Sequence, residues 1–339
     1  MRGLVLRLFL VAALGLGLAA NHAWAQGRVA TCDFSGFDKP CAVQGGVYRA
    51  IVPEGDGPFP AMVYLYGSGG HSATIANHPV FAASIVERGY ALIVPAARKM
   101  EYRPGTVMTG WNLRHEPDGK RDDPGFVARV IDDASRRFRL DRDRILLAGQ
   151  SRGGFLVWEI ACHGPRIAAG YAIHAGGYLG PMPRTCAEPV RILHSHGLED
   201  DVVPYSGAPL VSGGVAMARI ESSMATMART NDCAGGPVEA EPMLGLVRTQ
   251  WTGCLTGSSL DLLLHDGGHT MPVEWFRAVI DWFEEIPEAR PEITPVKVGL
   301  GTRSEGRFKA APETGRLLGG SAAPGGTKRL RPPKKNASK

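Results

Sequence analysis

Near the middle of the sequence stands Leu146-Leu147-Ala148-Gly149-Gln150-Ser151-Arg152-Gly153-Gly154. An apolar run predicts a buried strand over 144–148, and helical apolar spacing predicts a helix over 155–162. In a sharp turn between them Ser151 takes a strained backbone conformation, so its neighbours two positions away must be small. The turn brings the Ser151 hydroxyl to the helix N-terminus, where N–H groups favour developing negative charge. The sequence therefore predicts a nucleophilic serine; the alternative is a glycine-rich turn in which Ser151 only caps the helix.

Strands and helices alternate along most of the chain. The other predicted strands are 47–52, 61–66, 91–94, 168–174, 190–196 and 260–265, and the other predicted helices are 78–88, 126–138, 213–230 and 273–285. Residues 98–120 show no period and predict a long functional loop. The pattern predicts an α/β fold with a mostly parallel sheet, helices on both faces and a single domain. Ligands of such sheets bind at the carboxyl ends of the strands.

A base is needed before a serine hydroxyl can attack a substrate, and that base is expected to be a histidine oriented by a carboxylate. His269 is the best candidate, because it follows the last predicted strand and two glycines, Gly267 and Gly268. These glycines let the loop turn back over the sheet. His265 is the rival, but it ends the strand, where a packing or supporting role is typical.

The acid is expected between the serine and the histidine, in the chain order of α/β-hydrolases. Three adjacent carboxylates, Glu199, Asp200 and Asp201, follow the predicted strand 190–196. Neighbouring side chains point in different directions, so only one of the three is expected to meet His269. Asp200 is favoured, with Asp201 and Glu199 as alternatives.

An oxyanion formed during acyl transfer needs two N–H donors. One is expected to be the backbone N–H of Arg152, which follows the nucleophile. The other is expected from Tyr66-Gly67-Ser68-Gly69-Gly70, where glycines let the backbone approach a substrate, and the Ser68 N–H is the candidate. The alternative for this segment is a plain turn.

Metal, cofactor and nucleic-acid sites are weakly indicated. His194 and His196 share one face of a predicted strand, which is half of a metal site, but no convincing third ligand lies near them. Hydrogen bonding at the strand end is therefore predicted, with no metal and no cofactor. The body of the chain has no basic patch interleaved with aromatic residues, so no nucleic-acid partner is predicted.

The first 25 residues are typical of a secretory signal peptide. Arg2 and Arg7 supply positive charge, an apolar stretch follows, and Ala23-Trp24-Ala25 matches a cleavage site. An uncleaved membrane anchor is the alternative. The sequence predicts a protein that is secreted or periplasmic.

Residues 290–339 form a compositionally distinct tail. They hold twelve Lys or Arg against three Glu and are rich in Gly and Pro, which predicts disorder. The formal net charge of +5 over 339 residues is therefore the sum of a basic tail and an acidic body. That body, 26–289, is predicted to be the catalytic domain. The basic tail is suited to weak contact with an anionic envelope surface, or else it is simply solvated.

Export also favours disulfide bonds among the six cysteines. Six cysteines allow 15 connectivities. Pairing between sequence neighbours predicts Cys32–Cys41, Cys162–Cys186 and Cys233–Cys254.

Several motifs, in order along residues 48–282, resemble secreted α/β-hydrolase esterases of the polyhydroxybutyrate depolymerase and feruloyl esterase group. The motifs are Asp123-Pro124-Gly125-Phe126-Val127 with Val130-Ile131-Asp132, the elbow Gly149–Gly154, His194-Ser195-His196-Gly197 with Asp200 and Val203-Pro204-Tyr205-Ser206-Gly207, and Gly267-Gly268-His269-Thr270. The resemblance implies Ser151 as nucleophile, Asp200 as acid and His269 as base, and its register selects Asp200 over Asp201.

The chain departs from that group at three places. Tyr66-Gly67-Ser68 stands where the group usually has His-Gly-Cys, Met271 replaces a Trp, and Arg152 replaces an Asn or Asp. These differences bear on the substrate more than on the chemistry.

The expected function is hydrolysis of carboxylic esters, namely soluble hydroxyalkanoate oligomers or feruloyl or acetyl esters, through a Ser–Asp–His triad and an acyl-enzyme. Small-molecule or oligomeric esters are thus the expected partners, and Trp111 and Arg114 in the loop 98–120 are candidates for contacting them. A serine peptidase of related fold and a non-catalytic secreted binding protein are the alternatives.

Overall fold

The computed structural model describes residues 28–29, 40–76, 78–115, 121–164, 166–209, 215–272 and 274–285. The predicted signal peptide, 1–25, and the predicted tail, 290–339, lie outside these ranges. The strands are β1 (Arg28–Val29), β2 (Cys41–Val43), β3 (Gly46–Val52), β4 (Phe59–Leu65), β5 (Ala91–Pro95), β6 (Arg98–Arg103), β7 (Thr106–Gly110), β8 (Leu140–Gln150), β9 (Gly170–His174), β10 (Arg191–Gly197), β11 (Ala208–Pro209), β12 (Ala216–Met217), β13 (Pro237–Met243), β14 (Leu246–Trp251) and β15 (Ser259–His265). The helices are α1 (Ser72–Ala76), α2 (Pro79–Val86), α3 (Asp123–Phe138), α4 (Arg152–His163), α5 (Ile220–Thr230) and α6 (Trp275–Glu284).

One large sheet carries the site. Its strand order is β1-β3-β5-β4-β8-β9-β10-β15-β14-β13, and β2 pairs with β3. The neighbours from β5 to β15 are parallel. The flanking strands β3 and β14 are antiparallel to their inner neighbours. This order, with a nucleophile turn at the carboxyl end of a central parallel strand, is the α/β-hydrolase fold that the sequence predicts.

Consecutive residues of β10 show that helices cover both faces of the sheet. Successive side chains of a strand point to opposite faces. His194 accepts a hydrogen bond from Trp158 on α4, while the adjacent Ser195 accepts one from Trp275 on α6. Helices α4 and α6 therefore lie on opposite faces, and β10 between them is buried along its whole length.

Local sequence explains where α3 begins and ends. Asp122 caps it by accepting a hydrogen bond from the backbone N–H of Gly125 at 3.1 Å, and Pro124 occupies the first turn. The helix ends before Arg139, which is left-handed with φ 52°. Its apolar face, which includes Phe126 and Ile131, is buried against the sheet.

Three predictions of secondary structure are wrong. The predicted loop 98–120 contains the hairpin of β6 and β7, and its alternation is hidden by Lys, Glu and Arg side chains. Helix α5 begins at Ile220, not at residue 213, because a short strand, β12, precedes it. The pair β13–β14 is absent from the prediction, because the outer strand is mostly exposed and polar and so carries little hydrophobic signal.

Two of the predicted disulfides are confirmed, Cys162–Cys186 and Cys233–Cys254. The third predicted pair, Cys32–Cys41, involves Cys32, which lies outside the described residues. None of the helices in the described part of the chain has the length and apolar character required to cross a membrane.

Candidate active site

Ser151 occupies the sharp turn between β8 and α4. Its backbone has φ 52° and ψ −125°, a conformation that costs a non-glycine residue about 1–3 kcal/mol. The flanking glycines are required by close contacts. A β-carbon on Gly153 would lie 1.9 Å from the carbonyl oxygen of Leu65, and one on Gly149 would lie 2.7 Å from the Gly153 backbone. The backbone N–H of Ser151 donates to the carbonyl of His174 at 3.0 Å, which ties the turn to β9.

Asp200 and His269 meet at the same edge of the sheet. The imidazole Nδ1 of His269 donates to Oδ2 of Asp200 at 2.8 Å. The other carboxylate oxygen, Oδ1, accepts from the backbone N–H groups of Val202 and Val203 at 2.9 and 2.8 Å. Asp200 is buried, with 5% of its surface exposed, so this carboxylate is held on both oxygens. Its neighbours Glu199 and Asp201 are exposed.

The loops that carry Asp200 and His269 are bonded to each other. The backbone N–H of Leu198 donates to the carbonyl of His265 at 2.8 Å, and that of Glu199 donates to the carbonyl of Gly267 at 3.1 Å. These loops follow β10 and β15, which are adjacent parallel strands. Strand adjacency therefore explains how residues far apart in sequence come together.

Gln150 joins the loop of His269 to the nucleophile turn. Its side-chain amide donates to the carbonyl of His269 at 3.3 Å and accepts from the Tyr64 hydroxyl at 3.4 Å. Gln150 immediately precedes Ser151, so the loop is tied to the residue next to the nucleophile. Among the described residues no hydrogen bond joins the Ser151 hydroxyl to the His269 imidazole; in enzymes without substrate this contact is commonly long. Gln150 is not among the residues that the sequence predicts for the site, because a side-chain bridge across two loops leaves no local pattern.

Arg152 and Ser68, the residues predicted to donate to the oxyanion, both stand in segments next to Ser151. Arg152 is the first residue of α4, so its backbone N–H belongs to the helix N-terminus. Its buried side chain donates from Nε to the carbonyl of Trp111 at 2.7 Å and is thereby directed into the protein. Ser68 is exposed and follows Gly67, on which a β-carbon would lie 3.5 Å from the Ser151 hydroxyl. The loop of Ser68 therefore runs directly beside the nucleophile.

The hairpin of β6 and β7 and the segment after it brace the loop of Ser68. The backbone N–H of Gly69 donates to the carbonyl of Thr109 at 2.9 Å, and the Thr109 hydroxyl donates to the carbonyl of Gly70 at 2.6 Å. The indole N–H of Trp111 donates to the carbonyl of Tyr66 at 2.8 Å. Trp111 is 0% exposed, and its contact with substrate stays a prediction. Its side chain supports the loop from within the core, a placement that an aperiodic segment does not reveal.

Arg114, the other predicted substrate contact, is exposed beside α4. Its backbone N–H donates to the Glu159 carboxylate at 2.7 Å. Burial raises the pKa of Glu159 to about 7, and this effect outweighs the hydrogen bond from Arg114, which lowers it.

The remaining histidines near the sheet edge have supporting contacts. His194 and His196 are fully buried and bonded to each other, Nε2 to Nδ1, at 3.0 Å. His265 accepts from the backbone N–H of Gly267 at 3.1 Å. The buried ring of His174 bonds to the Ser195 hydroxyl at 3.0 Å, and burial lowers the pKa of His174 to about 3. Across the ranges that the structure describes, no group of three or more His, Cys, Asp or Glu side chains is placed to hold a metal ion.

Comparisons with known proteins find relatives with low sequence identity. No family model matches the chain. It is 28% identical over 243 residues to the Nocardia uniformis subsp. tsuyamanensis protein named "Putative esterase NocK", covering 65% of this chain and 67% of that one. It is 22% identical over 211 residues to a protein of Aspergillus clavatus named "Probable feruloyl esterase C", covering 60% of this chain and 67% of that one. Among solved structures, a carboxylesterase from Mesorhizobium loti superposes with a TM-score of 0.47 at 17% identity, over 73% of this chain and 99% of that one.

Proposed function

We propose that this chain is a serine-type carboxylic ester hydrolase in which Ser151 is the nucleophile, His269 the base and Asp200 the acid. The observation that carries the proposal is the bonded pair of His269 and Asp200 beside a strained serine turn. A strained turn that exposes a serine hydroxyl is the arrangement that nucleophilic catalysis requires. Both curated relatives described above are named as esterases, which supports ester hydrolysis over other acyl transfers.

In the proposed reaction the Ser151 oxygen attacks the ester carbonyl carbon while His269 accepts the hydroxyl proton. Asp200 accepts a hydrogen bond from Nδ1 of His269, so Nε2 is the nitrogen left to take that proton. The C–O bond to the alcohol then breaks, the alcohol leaves with the proton from His269, and an acyl-enzyme remains. Water, deprotonated by His269, hydrolyses the acyl-enzyme and restores Ser151.

The oxyanion of each tetrahedral intermediate is proposed to bind to the backbone N–H groups of Arg152 and Ser68. Arg152 begins α4, whose N-terminal dipole favours negative charge there. The hydrogen bonds from Trp111 and Thr109 hold the loop of Ser68 against the turn, so this donor is pre-positioned. Pre-positioned donors of this kind are worth about 100- to 1,000-fold each in kcat.

The substrates are proposed to be small or oligomeric esters: soluble hydroxyalkanoate oligomers, feruloyl esters or acetyl esters. The similarity to a protein named a feruloyl esterase supports the aromatic acyl class among these. Arg114, exposed beside α4, stays a candidate for contact with a larger substrate. No metal or cofactor takes part in the proposed chemistry.

The protein is further proposed to be secreted or periplasmic, with 1–25 as signal peptide, 26–289 as catalytic domain and 290–339 as a basic tail in weak contact with the cell envelope. Two disulfides, Cys162–Cys186 and Cys233–Cys254, support export, because such bonds persist in oxidising compartments.

A fluorophosphonate probe tests the nucleophile directly. The full chain is expected to be labelled at Ser151, and Ser151→Ala is expected to lose both the label and at least about 10,000-fold of the hydrolysis of p-nitrophenyl acetate. The exposed Ser206, replaced in Ser206→Ala, is the matched control and is expected to leave both unchanged. A wild-type chain that folds, resists the probe and hydrolyses no ester would favour the binding-protein alternative.

A comparison of substrates tests the ester class. The rates on p-nitrophenyl esters of increasing acyl length, methyl ferulate, hydroxybutyrate oligomers and a peptide amide rank the candidates. A peptide amide cleaved faster than every ester would overturn the proposal of an ester hydrolase.

A further inference from the structure

A line of hydrogen bonds runs through the core from helix α4 to the turn that holds Asp200. The indole Nε1 of Trp158 lies 3.0 Å from Nδ1 of His194, and Nε2 of His194 lies 3.0 Å from Nδ1 of His196. Nε2 of His196 lies 2.7 Å from the carbonyl oxygen of Val203. Trp158, His194 and His196 are each 0% exposed, so no bulk water competes for these bonds.

The two ends of this line allow one arrangement of protons. An indole N–H only donates and a carbonyl oxygen only accepts. His194 must therefore accept at Nδ1, which leaves its proton on Nε2. That proton is donated to Nδ1 of His196, and the proton of His196 is left on Nε2, facing Val203. A second proton on either ring would place two N–H groups head to head.

Burial favours the neutral form that this arrangement needs. The pKa of His194 lies well below its ordinary value, first because the ring is desolvated and then because His196 and His174 are close. Burial also lowers the pKa of His196, while the Val203 carbonyl and Asp200 act in the opposite direction and His269 and His265 add to the lowering.

The far end of the line touches the carboxylate that holds His269. Val203 accepts from His196 through its carbonyl, and its own N–H donates to Oδ1 of Asp200 at 2.8 Å. Nε2 of His196 also lies 3.6 Å from Oδ2 of Asp200, the oxygen bound to His269. The N–H of His196 therefore presents its positive end to both the Val203 carbonyl and the carboxylate.

We propose that His196 is a positioning residue for Asp200, and that Trp158 and His194 hold it in its Nε2–H form. The line joins two parts of the proposed triad, because Trp158 stands on the helix that begins at Arg152, next to Ser151, while Val203 closes the turn of Asp200. This inference rests on the proposed function for its catalytic consequence. The proton arrangement and the positioning of Asp200 by His196 are tested separately from activity.

Nitrogen-15 NMR of the full chain, with histidine resonances assigned, tests the arrangement. At neutral pH both His194 and His196 are expected as neutral rings with the proton on Nε2, since long-range proton–nitrogen couplings distinguish the two tautomers. A protonated ring, or an Nδ1–H form of either residue, overturns the proposal. The wild-type protein alone decides this point.

Trp158→Phe tests whether this line of hydrogen bonds positions Asp200, because the variant keeps an aromatic ring and removes the N–H that orients His194. The expected result is a detectable Nδ1–H fraction at His196, since only the Val203 carbonyl then fixes the direction of the line, and an upfield shift of the Nδ1 proton of His269, which reports its bond to Asp200. An unchanged His269 proton resonance together with unchanged tautomers overturns the proposal. These spectra are recorded without substrate. If the protein gives the expected spectra but has no esterase activity, only the proposed function is refuted.

Kinetics of the same variant test the catalytic consequence. Trp158→Phe is expected to lower kcat for p-nitrophenyl acetate by about 3- to 30-fold, with KM unchanged, because Asp200 acts on the base and not on the bound ester. Trp282→Phe is the matched control: it removes a buried indole N–H whose partner, at 2.8 Å, is Asp261. The control is expected to keep kcat and the His196 tautomer, and an equal fall of kcat in both variants overturns the positioning role.

Discussion

Nδ1 of His269 donates to Oδ2 of Asp200 at 2.8 Å across a sequence separation of 69 residues. The bond is possible because β10 and β15 are adjacent and parallel, so the loops after them emerge at the same edge of the sheet. Asp200 is buried and His269 is half-buried, so the carboxylate holds the ring through Nδ1 from its buried side and leaves Nε2 out of this bond.

Asp200→Asn is expected to lower kcat by about 1,000- to 10,000-fold with little change of KM, because an amide in this position favours the wrong tautomer of His269. Steady-state hydrolysis of p-nitrophenyl acetate measures the effect. Asp201→Asn is the matched control, since the adjacent side chain is exposed, and it is expected to stay within about twofold of wild type. A larger loss in Asp201→Asn than in Asp200→Asn would refute the assignment of the acid.

Gly67→Ala is expected to lower kcat/KM by at least about tenfold, because the new methyl group would lie 3.1 Å from Cβ and 3.5 Å from Oγ of Ser151. The nucleophile or the loop of Ser68 must then shift. Gly236→Ala, where a β-carbon meets nothing within 4 Å, is the control and should retain wild-type activity. Wild-type kinetics in Gly67→Ala would show that the loop after β4 does not limit the geometry of the nucleophile.

Sequence reasoning succeeded where the determining contacts are local. A strand, three small residues around Ser151 and a helix specify the turn, and Gly149 is required by a contact within the turn itself, with the Gly153 backbone. The same reasoning placed Asp200 and His269 at the ends of strands. Parallel strands bring such ends together whatever the length of chain between them.

The same reasoning failed where a residue's environment is supplied by distant segments. Trp111 sits in a segment without a period, and its burial depends on Tyr66 and Arg152, which no local pattern connects to it. His194 and His196 were predicted to share a face and to form hydrogen bonds. Their partner Trp158, however, comes from a helix on another part of the chain. Which nitrogen of each ring donates therefore cannot be predicted from the sequence.

Trp111→Phe is expected to lower both stability and activity, because the side chain is fully buried and supports the loop of Ser68. The change leaves the carbonyl of Tyr66 without its 2.8 Å indole donor in a buried site, which costs about 1–3 kcal/mol of unfolding free energy. It also loosens the loop that carries Ser68, so kcat is expected to fall by about 3- to 30-fold. Urea unfolding and steady-state kinetics on one preparation measure both effects. A variant as destabilised as expected but with unaltered kcat would confine Trp111 to a role in stability.

Glu159→Gln is expected to stabilise the protein at high pH and not at low pH. Burial raises the pKa of Glu159 from its ordinary 4.5 to about 7, so the folded protein favours the protonated form. The stability that the protonated carboxyl contributes is complete below about pH 4.5 and is lost as the pH rises through about 7, because the unfolded chain ionises first. Glutamine stays neutral throughout and still accepts the 2.7 Å hydrogen bond from Arg114.

The unfolding free energy of Glu159→Gln should therefore exceed that of wild type by about 1–2 kcal/mol at about pH 8 and match it at about pH 4.5. Urea unfolding followed by tryptophan fluorescence at both pH values gives the difference. Glu87→Gln, which neutralises an exposed carboxylate at the end of α2, is the control. Its unfolding free energy should differ from that of wild type by the same small amount at both pH values. If the gain in Glu159→Gln were independent of pH, its origin would be better packing, and the pKa of Glu159 would be the same in the folded and the unfolded chain.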